Sequence, residues 1–288
     1  TQSFNLLLQS LDWARNFDIM SNSWGRTPNY TTSQTLANAT SQRAQMNAEY
    51  GDAADFGRGG LGTVILQAAG NDTMNANGDG LNVSRYTITV AATEQTGFAA
   101  SYSNFGSAIL VAAPAAAVTT DLQGTGGYNT SPGTAGDYND GFNGTSAATP
   151  VTAGVVALML EANEDLGWRD VQNILATSAS QTGSAYGTAG TGTEVGSWGS
   201  NGAGNWNGGG MTWHQSYGFG MVDAFAAVRM AEVWTRMYGG SATSANEQNV
   251  TVSYNGAPQA IPDASGGTPG VLNIALNVTQ NVSMSPST

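Results

Sequence analysis

Apolar residues along this chain recur at two spacings. Phe4, Leu7, Leu8 and Leu11 fall on one helical face and predict an opening helix. Residues 19–24 read as a short buried strand, and 27–40 as a polar loop running into helix. Thr63-Val-Ile-Leu-Gln-Ala-Ala-Gly70 is a continuous apolar run closed by glycine, the pattern of a parallel strand covered on both faces. Residues 86–93 and 108–114 repeat it. Residues 44–56, ahead of the 63–70 strand, suit a helical crossover, whereas the linker between the second and third strands is loop-like. The prediction is an α/β fold built on a parallel sheet.

Residues 150–161 carry small and apolar side chains around most of a helical circumference, with Pro150 near the first turn, and predict a buried helix. A second, amphipathic helix is expected over 168–179, opened by Arg169 and Asp170. Residues 183–210 form a glycine-rich stretch without periodicity, expected as a surface loop, and 224–238 give the last helix of the domain. The Gly/Ser/Asn-rich segment 239–249 reads as a linker, placing one domain over 1–238. Beyond it, 250–254 and 271–278 alternate like strands of an unfinished β module spanning 250–288. The longest apolar run, 151–160, is shorter than the roughly 18 residues of a membrane span, so none is expected. Residues 1–12 lack the basic region and apolar core of a leader, and the sequence is expected to begin inside a domain.

Composition narrows the function. The 288 residues, 40% hydrophobic, suffice for one large core and a smaller appendage. Only 10% are charged, against an average of about 25%, and the net charge is −12 without a single lysine, so no basic groove exists for nucleic acid. The absence of cysteine excludes a disulfide framework, a thiolate metal site and a cysteine nucleophile. An acidic surface rich in Gly, Ser, Thr and Asn predicts a secreted or extracellular protein.

Three segments carry chemistry. Asn143-Gly-Thr-Ser-Ala-Ala-Thr-Pro150 sets Ser146 at a helix amino terminus, where unpaired backbone N–H groups and the helix dipole favour negative charge beside its hydroxyl. Asn71 follows the apolar strand at the carboxyl edge of the sheet, where its amide is placed to donate to an oxyanion. Ser21-Asn-Ser-Trp-Gly25 ends the first strand and offers an edge to an extended peptide. Singly, these segments read as a helix cap, a turn and a strand end.

Together and in this order, the segments Ser-Trp-Gly25, Ala68-Ala-Gly-Asn71 and Gly144-Thr-Ser-Ala-Ala-Thr-Pro150 resemble the subtilase family. Arg58-Gly-Gly-Leu-Gly62, the run from Leu160 to Gln172, and His214-Gln-Ser-Tyr-Gly-Phe-Gly220 are similar to its kexin and furin branch. The resemblance covers residues 1 to 238, and Ile261-Pro-Asp263 with the following strands resembles the opening of the P domain that succeeds this catalytic domain. It implies a serine endopeptidase with Ser146 as acylating nucleophile and Asn71 as oxyanion donor. Ser23, Trp24, Gly25, Ala69 and Gly70 would line the substrate backbone. Asp79 matches an acid near the base of the primary specificity pocket, where it would attract a substrate Arg or Lys; otherwise it is a loop acid beside glycine. The chemistry implied needs no cofactor, the family fold has room for structural calcium, and the expected partner is a peptide or protein substrate met by a monomer.

Departures from the family are as informative. Its triad runs Asp, His, Ser along the chain, and the first two members are expected before Thr1. The only histidine, His214, lies in a motif that is structural in the family. The branch also uses acids just after Ser-Trp-Gly and after Tyr-Ser, where this chain holds Pro28 and Asn104, so strict dibasic selection and the associated calcium site are not carried over. This chain alone is therefore expected to be nearly inactive, and the alternative is a peptide-binding or adhesion remnant of the subtilase scaffold.

Overall fold

A computed structural model describes residues 2–31, 33–200 and 210–247. The expected strands beyond residue 249, and with them the P-domain reading, lie outside the described residues. Four parallel strands, β1 (Ile19–Asn22), β2 (Val64–Ala68), β3 (Thr87–Thr93) and β4 (Ile109–Pro114), lie side by side in sequence order. Asn22 stands opposite Gln67, and Ala68 opposite Val90, so the carboxyl ends of β1 and β2 come level with each other.

Every residue of β2 and β3 is buried because helices cover both sheet faces. On one face Val64, Leu66, Ile88 and Val90 pack against α3 (Thr145–Ala162), α4 (Trp168–Ser178) and α5 (Ala224–Tyr238). On the other, Ile65 meets Leu11 of α1 (Gln2–Asp12) and Met46, Tyr50 and Ala53 of α2 (Gln42–Phe56). Each such buried aliphatic side chain stabilises the fold by roughly 1.5–3 kcal/mol before conformational entropy is subtracted. Helix α2 is the crossover between β1 and β2, capped by Ser41 Oγ, which accepts the Ala44 N–H at 3.0 Å. The connection from β2 to β3 is a loop with one short 3-10 turn, as expected, and that from β3 to β4 is a loop without one.

Two elements depart from expectation. Helix α3 begins at Thr145, so Pro150 lies inside it and Ser146 is part of its first turn. This longer helix satisfies, by length and composition alone, the criterion for a membrane span that the 151–160 run failed. Half of it is buried, and it packs across all four strands as a core helix. Nor is it buried all round, since Val151 and Leu158, the latter 54% exposed, form an outward stripe. The antiparallel pair β5 (Ala117–Thr120) and β6 (Tyr138–Phe142) has no counterpart in the sequence-based expectation, because its polar, mostly exposed residues show no alternation.

Residues 241–246, read from composition as linker, dock on the start of α4. Asp170 receives the N–H of Gly167 at 2.9 Å, the N–H of Ala242 at 2.8 Å and the indole N–H of Trp234 at 2.8 Å. One buried carboxylate thus ties α4, α5 and this segment together.

Candidate active site

At the carboxyl edge of the sheet the chain leaves β1 through Ser23–Gly25 and β2 through Ala69–Asn71, and both turns face the amino terminus of α3. A cavity of about 310 Å³ opens there. Ser23, Trp24 and Gly25 line it, as do Ala69, Gly70, Asn71, Asp79 and Ser146, so all the residues singled out from the sequence meet at one cleft.

Ser146 is half-buried in the first turn of α3. Its position in that turn leaves its backbone N–H without an intrahelical acceptor. Its hydroxyl donates to the Ser23 carbonyl at 3.3 Å, and Ser23 Oγ donates to the Ser146 carbonyl at 2.9 Å. The second bond follows from Pro150. In a regular helix the residue-150 N–H would bond the Ser146 carbonyl, but proline has none, and Ser23 supplies the missing donor.

Asn71 is oriented by its neighbour in space. The Thr145 N–H donates to Asn71 Oδ1 at 2.9 Å, Thr145 Oγ1 donates to the same oxygen at 2.9 Å, and Gly70 N–H donates to Thr145 Oγ1 at 3.1 Å. A backbone N–H can only donate, so the atom facing Thr145 is the amide oxygen and Nδ2 is turned toward the cleft. Nδ2 stands 3.2 Å from where a Cβ on Gly144 would lie, and Gly144 has φ 88, so glycine keeps both the left-handed turn and the approach open. Gly70, with φ 101, is needed for a similar reason, since a Cβ there would come within 2.3 Å of Asn104 Nδ2.

Asn104, standing at one of the positions where the branch has an acid, is buried and organises the loop behind Asn71. Its Oδ1 accepts the N–H groups of Asp72 and Met74 at 3.0 and 2.9 Å, and its Nδ2 donates to the Ala69 carbonyl at 2.9 Å. The same Nδ2 faces Asp72 at 3.5 Å, an N–H where a calcium ligand set requires oxygen. Among the described residues no three Asp, Glu or His side chains converge on one point.

Asp79 carries a partner that the motifs did not reveal. Its Oδ2 accepts from Arg43 Nη2 at 2.7 Å, and its Oδ1 accepts the Leu81 N–H at 3.0 Å. The signal was present in α2, where Arg43 shares a helical face with Met46, Tyr50 and Ala54, all buried. Thr145 and Tyr102, whose hydroxyl accepts the Gly144 N–H at 3.0 Å, were likewise missed as positioning residues.

His214 is fully buried, away from this lining, between the rings of Trp198 and Tyr217 at 5.2 and 4.8 Å. Ser216 N–H donates to its Nδ1 at 3.0 Å, and burial pushes its pKa below the usual value, leaving a neutral structural imidazole. Nearby Glu194 accepts the N–H groups of Ser184 and Thr191 at 2.9 and 2.7 Å and the Tyr217 hydroxyl at 2.8 Å. Burial opposes its ionisation, but the Ser184 hydroxyl, which also donates to Glu194, together with these bonds outweighs it and lowers the pKa to about 2.

Comparison with known proteins agrees with this fold. The model of the subtilase family, Peptidase_S8, matches residues 3–220. Furin-1 of Xenopus laevis is 33% identical over 188 residues, 62% of this chain and 21% of its own length. A calcium-dependent protease of Nostoc is 35% identical over 61% of this chain and 26% of its own length. The crystal structure of a serine protease of Aeromonas sobria superposes with TM-score 0.61 at 26% identity, covering 83% of this chain and 45% of that one. The chain thus spans about a fifth to a quarter of the curated relatives' length.

Proposed function

This chain belongs to the subtilase family, and from that premise we propose that Ser146 is the nucleophile of a serine endopeptidase with Asn71 as its oxyanion donor. The observation that carries the proposal is the Gly70–Thr145–Asn71 hydrogen-bond chain, which aims an amide N–H at the cleft beside the half-buried Ser146 hydroxyl. In acylation, Ser146 Oγ would attack the scissile carbonyl carbon as its proton passes to a base. The oxyanion would lie between Asn71 Nδ2 and the Ser146 N–H, donors fixed before substrate arrives. The base then gives that proton to the leaving amine as the intermediate collapses. Water, losing a proton to the same base, releases the acyl group as the carboxylic acid, and the base returns the proton to Ser146 Oγ. In the full-length protein the proposed base is a His held by an Asp, in the family's chain order; His214 is already committed to its aromatic cluster.

The edge of β1, continued by Ser23–Gly25, is the proposed docking strand for substrate backbone, and no cofactor enters these steps. A monomer working outside the cell on peptide or protein substrates agrees with the acidic, lysine-free composition. We further propose that a peptidase domain over residues 1–238 is followed by a P-domain-like module.

Peptide hydrolysis by the longest natural product of the gene tests the reading. Hydrolysis lost on Ser146→Ala supports it. Peptide binding without hydrolysis in the unaltered protein would instead identify a binding remnant.

A further inference from the structure

The wall of the cleft beside Ser146 contains a buried ion pair. Asp79 and Arg43 side chains are only 3% and 4% exposed, with Oδ2 and Nη2 at 2.7 Å. Asp79 lines the cavity; Arg43 reaches it from behind, out of α2, with Nη1 held at 3.9 Å from Met46 Sδ. Oδ2 lies 4.0 Å from where a Cβ on Gly25 would stand, so the acid faces the segment proposed to dock substrate. At the rim, Arg26 is bonded to Gln42 at 2.9 Å, and Asp72 accepts from Thr27 at 2.8 Å.

Charge in this cleft is therefore balanced: Arg43 with Asp79 inside, Arg26 and Asp72 outside. A cationic side chain entering toward Asp79 would approach a carboxylate whose field is cancelled by a guanidinium in hydrogen-bond contact. It would shed its hydration and gain no unpaired counter-charge. Arg43 is kept in place because withdrawing it would leave Asp79 buried and ionised without a partner, which is strongly unfavourable. An uncharged side chain incurs no such desolvation cost.

Resting on the peptidase reading, we propose that Arg43 is the specificity-determining residue of this cleft. By neutralising Asp79 it makes the cavity select an uncharged substrate side chain and reject Lys and Arg.

Equilibrium binding of two probes to the full-length protein tests this without turnover, so it is independent of Ser146 chemistry. The probes are p-aminobenzamidine, a cation, and p-aminobenzamide, its neutral counterpart. The unaltered protein should bind the cation no more tightly than the amide. Arg43→Gln, folded by circular dichroism, should bind the cation at least about tenfold more tightly, equal to about 1.4 kcal/mol, with the amide little changed. Arg43→Lys, keeping the charge, should behave as the unaltered protein. A tenfold preference of the unaltered protein for the cation overturns the proposal, as does a folded Arg43→Gln without gain. If Arg43→Gln fails to fold, the unaltered protein's own preference still decides. Loss of peptidase activity together with the expected binding pattern would count against the peptidase reading alone.

Discussion

Ser146 and Asn71 are held by neighbours, and in the proposed peptidase each neighbour can be tested separately. With Oδ1 fixed by Thr145, Asn71 has only Nδ2 to offer the cleft, so Asn71→Ala in an active full-length protein should lower kcat by about 10²–10³ and leave KM nearly unchanged. Steady-state kinetics on one peptide substrate checks this. The Ser23 hydroxyl serves a carbonyl that Pro150 leaves unpaired, so Ser23→Ala should cost on the order of 1 kcal/mol. Combined with Pro150→Ala, which restores the helical donor, Ser23→Ala should cost close to nothing, and chemical denaturation of the four proteins in a double-mutant cycle reads the difference. That Ser146, Asn71 and the Ser-Trp-Gly25 turn share one cleft was legible in sequence because each sits at the end of a strand or helix that the apolar pattern marks. Arg43 was not, since its partner Asp79 lies far along the chain and nothing local distinguishes a buried arginine from an exposed one, save the apolar face it shares.

Among the elements, β2 and β3 were the most legible, because burial on both faces leaves runs with no polar interruption apart from Gln67 and threonines; β1, expected as buried, is only partly so at the sheet edge and carries Ser21 and Asn22. Helix α3 was placed correctly but begun too late. Proline suggested a first turn, whereas the helix tolerates it further in by bonding the freed carbonyl to Ser23. The loop 183–199 carried no periodic signal; Glu194 ties its start together, and Val195 and buried Trp198 anchor its end. Folded Glu194 has a pKa of about 2 against an ordinary 4.5, and burial depresses His214 below 6.5. In both cases the unfolded chain binds more protons, so stability falls on acidification. His214 contributes this loss from about pH 6.5 downward, and Glu194 between about pH 4.5 and 2. Thermal melts across pH 7 to 3 should show a falling Tm, and Glu194→Gln should flatten the part below pH 4.5. Hydrogen exchange should place that change in residues 183–199.

Across the whole molecule, the sheet sets the cleft and the far side of the fold locks the helices that carry it. Asp170 unites α4, α5 and residues 241–246 through three N–H donors, and burial raises its pKa against the pull of those bonds. Asp170→Asn turns an N–H₂ toward N–H groups and should destabilise the fold by about 2–4 kcal/mol, read as a shifted denaturant midpoint. The docking of 241–246 was illegible because Gly, Ser and Asn suit a free linker equally well; what holds the segment is spread over Asp170, the Asp165 carbonyl and the Trp168 indole, which bond Ala242, Ser241 and Ser244. All these contacts converge on one claim, that the cleft presents Ser146 as a nucleophile with its oxyanion donors preset. The direct measurement is mass spectrometry of the full-length protein after treatment with a fluorophosphonate, which phosphonylates an activated serine oxygen and releases fluoride. The account predicts a single adduct on the peptide containing Ser146, absent in Ser146→Ala and formed more slowly in Asn71→Ala. An adduct on another residue, or none in a protein that hydrolyses peptides, would contradict it.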